Sequence, residues 1–351
     1  MKKTKKINIS VLEEYDQNAY DEFLMSQEMG SFFQSNKYRK LLKKLLCADD
    51  FYLIAKDNKG DIIGVLPSFL YRNKKFGNVL NSLPFYGSNG GVFGDLEVKK
   101  KLLESFSSIA KKYKTVSETI ISPPFDNDSN FYKENFNNNA MDERIGQFTK
   151  LPVSSNNIAE TLMESFHYKV RNMIRKAEKN QVEIKIDNSN SAFKFLIHTH
   201  IENINSIGGI PKPPVFFELV QSTFESGKDY NIYLAEIDGK RIGALLLFYF
   251  SANVEYFTPV ILKDFRKFQP NSLIIYQAMI EAAKSGFKWW NWGGTWLSQE
   301  GVYRFKKRWG TKDFNYFYYT SVNEKLLMND KKTLSEQFPY FYICPFKMLN
   351  K

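Results

Sequence analysis

One stretch fixes the organisation of the chain: Ile232-Tyr-Leu-Ala-Glu-Ile-Asp-Gly-Lys-Arg-Ile-Gly-Ala-Leu-Leu-Leu-Phe-Tyr249. It aligns with an earlier one, Phe51-Tyr-Leu-Ile-Ala-Lys-Asp-Asn-Lys-Gly-Asp-Ile-Ile-Gly-Val-Leu-Pro-Ser-Phe-Leu70. Each pattern predicts a strand, a tight turn and a second strand, because Asp57-Asn-Lys-Gly60 and Asp238-Gly-Lys240 are typical hairpin turns. An Ile-Gly pair begins the second strand of each copy, and such a glycine often marks a close backbone approach. The sequence therefore predicts a duplicated unit.

The two copies divide the chain into two domains. A helix follows each hairpin, at about 98–112 in the first half and from Pro270 to Lys284 in the second, where Gly286 stands at the C-cap. A length of 351 residues suits two domains of ordinary size. We predict domains at 1–150 and 151–351, each of the α+β class with a mixed sheet. Their order of strand hairpin, strand, helix and strand resembles an acetyltransferase core.

The chain is basic, with a formal charge of +11. Such a charge raises the concentration of anions near the surface. The anions that fit are a nucleotide diphosphate, coenzyme A, transfer RNA and an acidic membrane surface. The alternative is that the excess of basic residues only aids solubility. The net charge alone does not distinguish among these possibilities.

The cysteines and the apolar runs bear on location. Cys47 and Cys344 give neither a disulfide framework nor a metal-ligand spacing, which favours a reducing cytoplasm and predicts no metal site. The longest apolar run, 242–250, is too short to span a bilayer. The tail Phe338-Pro-Tyr-Phe-Tyr-Ile-Cys-Pro-Phe346 is aromatic and is predicted to pack on the second domain. Contact with the inner face of the membrane is its alternative.

The helix after the domain boundary has a basic flank. Its apolar residues recur at helical spacing, at Leu162, Phe166, Val170, Met173 or Ile174, and Ala177. Arg171 and Arg175 lie four residues apart and so share one flank. Arginine pairs fit the oxygens of a phosphate, which makes these two candidate substrate-binding residues. The alternative is a solvated basic face.

The segment 260–273 lies between a strand and a helix. In an acetyltransferase this position presents backbone N–H groups and a helix N-terminus to a pyrophosphate. Asn271 and Ser272 begin the helix here and are the predicted contacts to an acyl donor. Gln269-Pro270 stands where a coenzyme A enzyme usually has a Gly-x-Gly loop, and proline has no N–H to donate. The pattern therefore weakens coenzyme A as the donor.

Two glycine-rich segments are candidate substrate sites. Phe287-Lys-Trp-Trp-Asn-Trp-Gly-Gly294 predicts a strand that ends in a glycine pair able to admit a ligand. Gly301-Val-Tyr-Arg-Phe-Lys-Lys-Arg-Trp-Gly310 interleaves cations with aromatic residues, which suits either phosphate binding or packing at a domain edge. In the first half, Ser82-Leu-Pro-Phe-Tyr-Gly-Ser-Asn-Gly-Gly91 either lines an acceptor cleft or simply shapes a loop. The candidate substrate-binding residues are Tyr86, Asn291, Gly293, Gly294 and Tyr303.

The chain resembles the FemAB-like branch of the acetyltransferase superfamily and its BioF2-like relatives. The resemblance covers nearly the whole chain and is densest in 160–312. Four segments carry it: Gly30-Ser-Phe-Phe-Gln-Ser-Asn-Lys-Tyr-Arg39, Tyr168-Lys-Val-Arg-Asn-Met-Ile-Arg-Lys-Ala177, Gly209-Ile-Pro-Lys-Pro-Pro-Val-Phe-Phe-Glu218, and Asn291-Trp-Gly-Gly294 with Phe305-Lys-Lys-Arg-Trp-Gly310.

The resemblance implies two tandem GNAT-like domains, the first on the acceptor side and the second on the donor side. FemAB enzymes add an aminoacyl group from aminoacyl-tRNA to an amine of a nucleotide- or lipid-linked muropeptide. By position, Lys306 resembles the lysine placed near the ester carbonyl, where a cation stabilises an oxyanion. Arg171 and Arg175 would hold phosphate. The helical arm of some FemAB members has no obvious counterpart in this sequence.

We expect direct attack of an acceptor amine on an acyl ester or thioester, with no tightly bound cofactor. No sequence feature nominates a general base. Three hypotheses follow: an aminoacyltransferase of the cell-wall type, an N-acyltransferase that takes its group from acyl-coenzyme A or acyl carrier protein and modifies an amino sugar, and a non-catalytic nucleotide or RNA binder that keeps the fold. The first is favoured.

Overall fold

The computed structural model describes residues 6–85, 90–126 and 129–349. These residues form two compact units. The first unit contains residues 6–27, 33–145 and 314–349, and the second contains 28–32 and 146–313, apart from the gaps just given.

The strands, in chain order, are β1 (Asn8–Val11), β2 (Asp49–Asp50), β3 (Leu53–Lys56), β4 (Ile62–Leu66), β5 (Phe69–Tyr71), β6 (Asn78–Asn81), β7 (Thr115–Ile121), β8 (Ala140–Lys150), β9 (Glu183–Ile186), β10 (Tyr230–Ile237), β11 (Lys240–Phe250), β12 (Asn253–Ile261), β13 (Trp289–Trp296) and β14 (Lys312–Val322). The helices are α1 (Gln17–Ser26), α2 (Asn36–Leu46), α3 (Leu96–Lys112), α4 (Ser129–Asn135), α5 (Ile158–Ser165), α6 (Tyr168–Lys179), α7 (Asn190–Asn205), α8 (Pro214–Thr223), α9 (Pro270–Lys284), α10 (Glu300–Lys307), α11 (Glu324–Leu327) and α12 (Lys331–Gln337). Short 3₁₀ helices cover Glu14–Asp16, Phe32–Gln34, Lys263–Phe268 and Phe346–Met348.

The second unit is a mixed sheet with helices on both faces. Its strand order is β8-β13-β12-β11-β10-β9, and β12 and β13 are parallel. The middle of β11 is an unbroken buried run, Ile242–Phe248, as expected for a strand covered on both sides. Helix α9 packs on one face beside α6, and α7 packs on the other face. The apolar stripe of α9 therefore completes one half of the core.

The first unit contains two sheets. One has the order β1-β3-β4, and the other includes β2-β5-β6-β7-β14. Its core gathers apolar residues of the strands against α3, with Leu102, Leu103 and Phe106 fully buried.

The two predicted hairpins form, and they match in register. Strands β3 and β4 pair antiparallel with Ala55 opposite Gly64, and β10 and β11 pair antiparallel with Ala235 opposite Gly243. In each hairpin the register shifts at the residue that follows the alanine. A Cβ on Gly64 would lie 2.7 Å from the Phe93 carbonyl oxygen, and one on Gly243 would lie 3.2 Å from that of Val260. Both glycines therefore permit a close backbone approach, as predicted for a duplicated unit.

The predicted domains, 1–150 and 151–351, differ from the compact units at the C-terminus. Strand β14 pairs with β7, so the chain after 313 lies in the first unit. The prediction that the aromatic tail packs on the second domain is wrong. Ser117 donates to the carbonyl of Ile343 and Asn81 to that of Tyr342, and Phe338 is buried against Tyr71 of β5. Side chains of β6 and β7 thus hold the backbone of the tail in the first unit.

Two further details correct or complete the predicted elements. The single helix expected after the boundary is two helices, because α5 ends at Ser165 and α6 starts at Tyr168, although the predicted apolar stripe stays buried through both. Gly286 has φ +86° just beyond the C-cap of α9, as predicted. Among the described residues no helix is both long and apolar enough to cross a membrane.

Candidate functional site

Strands β12 and β13 diverge within the second unit. They pair in parallel at only three positions, Asn253 with Trp289, Val254 with Trp290 and Glu255 with Asn291. Strand β12 then continues to Ile261, still paired with β11, and β13 continues to Trp296, but these two strands pair with each other no further over 253–296. A register shift against β11 passes over Phe257, and such a bulge bends a strand. The result is a gap between two parallel strands, with Glu255 and Asn291 where it begins.

Glu255 is a buried acid at this point. Only 2% of its surface is exposed, and its Oε1 lies 3.5 Å from Ser31 Oγ. Burial raises the pKa of Glu255 to about 8, against the smaller opposing effects of Asn291 and Ser31. The carboxyl is therefore mostly protonated at pH 7, and it can become a base under mildly alkaline conditions.

The segment 28–32 explains why Glu255 lies in a closed environment. Asn253 donates to the carbonyl of Gly30 at 3.1 Å, and Phe32 stacks on Phe248 with ring centroids 4.2 Å apart. Phe248 is the direct partner of Glu255 in the sheet. The early Gly30-Ser-Phe motif therefore covers the face of β12 that carries the acid.

Lys306 is the buried cation of the site. It lies on α10 with 6% of its surface exposed, and its Nζ contacts the carbonyl oxygens of Gly293 and Gly294 at 3.2 Å each and Thr295 Oγ1 at 2.8 Å. Burial lowers the pKa of Lys306 to about 8. A protonated lysine has three N–H donors, so all three have acceptors here. An oxyanion would have to replace one of these acceptors, and its full charge makes it the stronger one.

A buried polar chain supports Thr295. The hydroxyl of Thr295 donates to Gln147 Oε1 at 3.2 Å, and both residues are fully buried. Tyr303 donates to Asp313 at 2.8 Å, and Lys307 binds the same oxygen of Asp313 at 2.8 Å. The hydroxyl of Tyr303, a predicted substrate-binding residue, is thus bonded to Asp313.

The predicted residues Asn291, Gly293 and Gly294 come together beside Lys306. Asn291 Oδ1 accepts from the Gly293 N–H at 2.8 Å and holds a turn in which Gly293 has φ +73°. A Cβ on Gly293 would have nothing within 4 Å, so the backbone conformation calls for glycine while the adjoining space is open. Asn291 thus connects the Glu255 end of the gap with the Lys306 end. The roles of these residues in substrate binding stay predictions.

The predicted donor contacts lie at the start of α9. Asn271 Nδ2 donates to the Tyr256 hydroxyl at 3.3 Å, and the Tyr256 ring lies 4.9 Å from that of Trp292, between β12 and β13. Ser272 is buried and its N–H donates to the Gln269 carbonyl. This helix start therefore offers few free donors for a pyrophosphate. Exposed cations precede it, namely Lys263, Arg266 and Lys267.

Arg171 and Arg175 diverge in the structure. Arg171 Nη1 donates to the carbonyls of Phe166 and Met163 and so closes the C-terminal end of α5. Arg175 is exposed on α6. The bond to the Phe166 carbonyl gives Arg171 a structural role, whereas Arg175 is the more exposed of the two. The phosphate role stays a prediction for both. Tyr86 lies outside the described residues.

We expect Arg171→Gln to lower the free energy of unfolding by about 1–2 kcal/mol, because it leaves carbonyls at the end of α5 without their charged donor. Arg175→Gln is the matched control and should leave the stability unchanged, since the side chain is exposed. Urea denaturation of both variants measures the difference. Equal stability would contradict the capping role of Arg171.

Glu255, Gln147 and Ser31 are site residues that the sequence did not nominate. Glu255 had one local signal, since it is the single acid in the segment that forms β12, among apolar and aromatic neighbours. Gln147 and Ser31 had none, because their partners lie more than a hundred residues away in the chain. Within the described residues, no group of three or more His, Cys, Asp or Glu is placed to hold a metal ion.

Comparison with known proteins gives one family match and a set of similar folds. Residues 164–307 match the family described as Acetyltransferase (GNAT) domain. No match was found among curated protein sequences. Many solved structures are similar to the chain, and one of them is FemX, with a TM-score of 0.72 and 17% identity over 91% of this chain and 98% of that one.

Two other structures are similar at a lower level. A tandem GNAT protein from the clavulanic acid biosynthesis pathway has a TM-score of 0.54 and 9% identity, over 90% of this chain and 98% of that one. The C-terminal domain of a putative lysylphosphatidylglycerol synthetase from Agrobacterium fabrum has a TM-score of 0.53 and 11% identity, over 87% of this chain and 91% of that one.

The predicted fold class, α+β with two tandem GNAT-like domains, is confirmed. The chain is therefore an acyltransferase that carries a GNAT acetyltransferase domain at 164–307 within a FemAB-like fold.

Proposed function

We propose that the chain transfers an aminoacyl or acyl group to an amine of a cell-envelope precursor of the peptidoglycan-peptide type. The observation that carries the proposal is the pair of buried ionisable groups, Glu255 and Lys306, that adjoin the two ends of the Asn291–Gly294 segment. A transferase of this kind needs a base for the attacking amine and a cation for the oxyanion. The FemAB resemblance and the likeness to FemX support the choice of reaction.

In the proposed reaction, the amine nitrogen attacks the carbonyl carbon of the donor ester or thioester and forms a C–N bond. The carbonyl oxygen becomes an oxyanion, and the Lys306 ammonium stabilises it. The Glu255 carboxylate takes the proton that the nitrogen loses. The C–O or C–S bond then breaks, and the departing oxygen or sulfur takes up a proton, so that an amide and a free alcohol or thiol result. No covalent enzyme intermediate is involved.

Two donors remain as alternatives within this function. The GNAT domain at 164–307 favours acyl-coenzyme A. The start of α9 favours aminoacyl-tRNA, because Pro270 removes an N–H that a pyrophosphate would use, while Lys263, Arg266 and Lys267 offer exposed charges suited to an extended polyanion. We propose aminoacyl-tRNA as the donor. The second candidate is an acyl-coenzyme A-dependent transfer to an amino sugar.

The test uses purified protein with labelled aminoacyl-tRNA or labelled acetyl-coenzyme A, each with a nucleotide-linked muropeptide or a nucleotide-linked amino sugar. We expect label on the muropeptide from aminoacyl-tRNA, and about 10²- to 10³-fold slower labelling with Lys306→Met. Transfer from acetyl-coenzyme A to the amino sugar would select the second candidate. Absence of transfer from either donor to either acceptor would contradict both candidates.

A further inference from the structure

A cavity lies in the second unit at the C-terminal end of α9, on the face of the sheet opposite to that of Glu255. Its volume is about 350 Å³, and it adjoins Glu281, Ala282 and Ser285 at the C-terminal end of the helix. Asn271 and Ser272 begin that helix, so with 15 residues at 1.5 Å each the two ends are about 20 Å apart. Tyr249 of the cavity follows Phe248 in β11, and successive strand residues point to opposite faces. Glu255 is the direct partner of Phe248 in the sheet, so its side chain lies on the face opposite to Tyr249. The cavity is therefore separate from the candidate transfer site.

The floor of the cavity carries two hydroxyl groups and an amide, and each hydroxyl oxygen can accept a hydrogen bond. The Tyr249 hydroxyl donates to that of Tyr233 at 3.4 Å, and Asn188 donates to Asn231 Oδ1 at 2.8 Å beside them. Burial raises the pKa of both tyrosines, and the nearby Glu281 carboxylate raises it further. The two phenolic oxygens therefore lie close to a negative charge.

The electrostatic surroundings favour a cation. The C-terminal end of a helix carries partial negative charge, and Glu281 lies in the last turn of α9. Its partner, Lys284, is 3.4 Å away, and both side chains are more than half exposed, so this ion pair is weak and open to competition. Lys228 at the rim pairs with Glu225 at 3.1 Å. The net preference of the floor is for a group that donates hydrogen bonds and carries positive charge.

An apolar wall completes the cavity. The Phe287 ring lies 5.1 Å from that of Tyr249, and Ile186 adjoins the same space. A short alkyl chain can pack on these side chains while a charged end reaches the floor. A metal ion suits the cavity less well, because Glu281 is its one carboxylate among the lining residues.

We propose that this cavity binds a small organic cation, a primary ammonium on a short alkyl chain. The ammonium donates to the Glu281 carboxylate and to the phenolic oxygens, and the chain packs against Phe287. The site is additional to the transfer reaction, and it does not rest on the function proposed above.

The test measures binding of n-butylammonium to the full chain by ligand-observed NMR, with n-butanol as the neutral ligand of similar size. We expect saturable binding of the ammonium and none of the alcohol. Glu281→Gln should weaken binding roughly tenfold or more, because it removes a charge-assisted hydrogen bond. Glu300→Gln makes the same charge change at an exposed position on α10 and should have no effect.

Any of the following outcomes would overturn the proposal. The first is equal binding of the alcohol, which would show an apolar cavity only. The second is unchanged affinity in Glu281→Gln, or no saturable binding of the ammonium to the wild-type chain. The third is loss of binding in Glu255→Gln with retention in Glu281→Gln, which would place the amine in the transfer site. Glu281 is exposed, so its substitution should not disturb folding.

Discussion

Replacement of Lys306 by Met is expected to lower kcat by about 10²- to 10³-fold, with a much smaller change in KM. The reason is that the ammonium would meet full negative charge only in the transition state, whereas substrate binding in the ground state would not need it. Methionine keeps much of the length and apolar volume of the side chain but removes the charge and all three donors. Steady-state kinetics with the active donor and acceptor measure both constants.

Lys306 also holds neighbouring groups in place, so the stability of the Lys306→Met variant has to be measured as well. Its loss leaves the Gly293 and Gly294 carbonyls and the Thr295 hydroxyl without their donor, which alone lowers stability. Thermal unfolding of the variant separates this effect from catalysis. Lys307→Met is the matched control, because Lys307 is the next residue on α10, is exposed and pairs with Asp313.

We expect Lys307→Met to keep kcat within a few-fold of the wild type, since exposed ion pairs contribute little. A folded Lys306→Met variant with normal kcat would show that the lysine only fastens the end of β13 to α10. A variant with a raised KM and normal kcat would assign Lys306 to ground-state binding instead.

The fold was predictable from local patterns. The two hairpins repeat the same Ala–Gly register, and their turn residues are typical of hairpins, so each could be placed without knowledge of distant contacts. Helix α9 could be placed with its N-terminal Pro270 and its C-terminal Gly286. The position of the tail could not be predicted, because it depends on hydrogen bonds from Asn81 and Ser117 to residues more than two hundred positions away.

The site was predictable only where its residues are close in sequence. Asn291, Gly293, Gly294 and Lys306 lie within sixteen positions of one another in the sequence and are joined by hydrogen bonds in the structure. Arg171 is the opposite case. Its spacing on one flank of the helix predicted that the guanidinium binds a phosphate, whereas in the structure the guanidinium donates to a carbonyl at the end of the preceding helix. Periodicity identifies which residues share a face, but not what lies opposite them.

Glu255 is expected to act as the base, and Glu255→Gln should lower kcat by about 10²- to 10⁴-fold. The pH dependence gives the sharper test. The pKa of Glu255 is raised from 4.5 to about 8, so the carboxylate that accepts a proton accumulates only as the pH approaches 8. The pKa of Lys306 is lowered from 10.5 to about 8, so the ammonium disappears above that pH. The wild-type enzyme should therefore have a narrow activity optimum near pH 8.

The Glu255→Gln variant should lose the acidic limb of the pH–activity profile and keep the alkaline limb. An amine acceptor also titrates, but its usual pKa lies near that of a free lysine, well above the limb assigned to Glu255. A limb near pH 8 that persists in Glu255→Gln would assign it to another group and would remove Glu255 from the mechanism.

Glu255→Gln should raise the stability of the folded protein at pH 8 although it lowers the activity. The unfolded carboxyl ionises near 4.5, while the folded one holds its proton to about 8. Between these values the folded state binds more protons, so the wild-type stability falls as the pH rises. Glutamine cannot ionise, so Glu255→Gln should match the wild type near pH 4 and exceed it in urea denaturation at pH 8. A variant that is more stable yet far less active cannot owe its loss of turnover to unfolding, and a variant less stable at pH 8 would contradict the raised pKa on which the assignment of Glu255 depends.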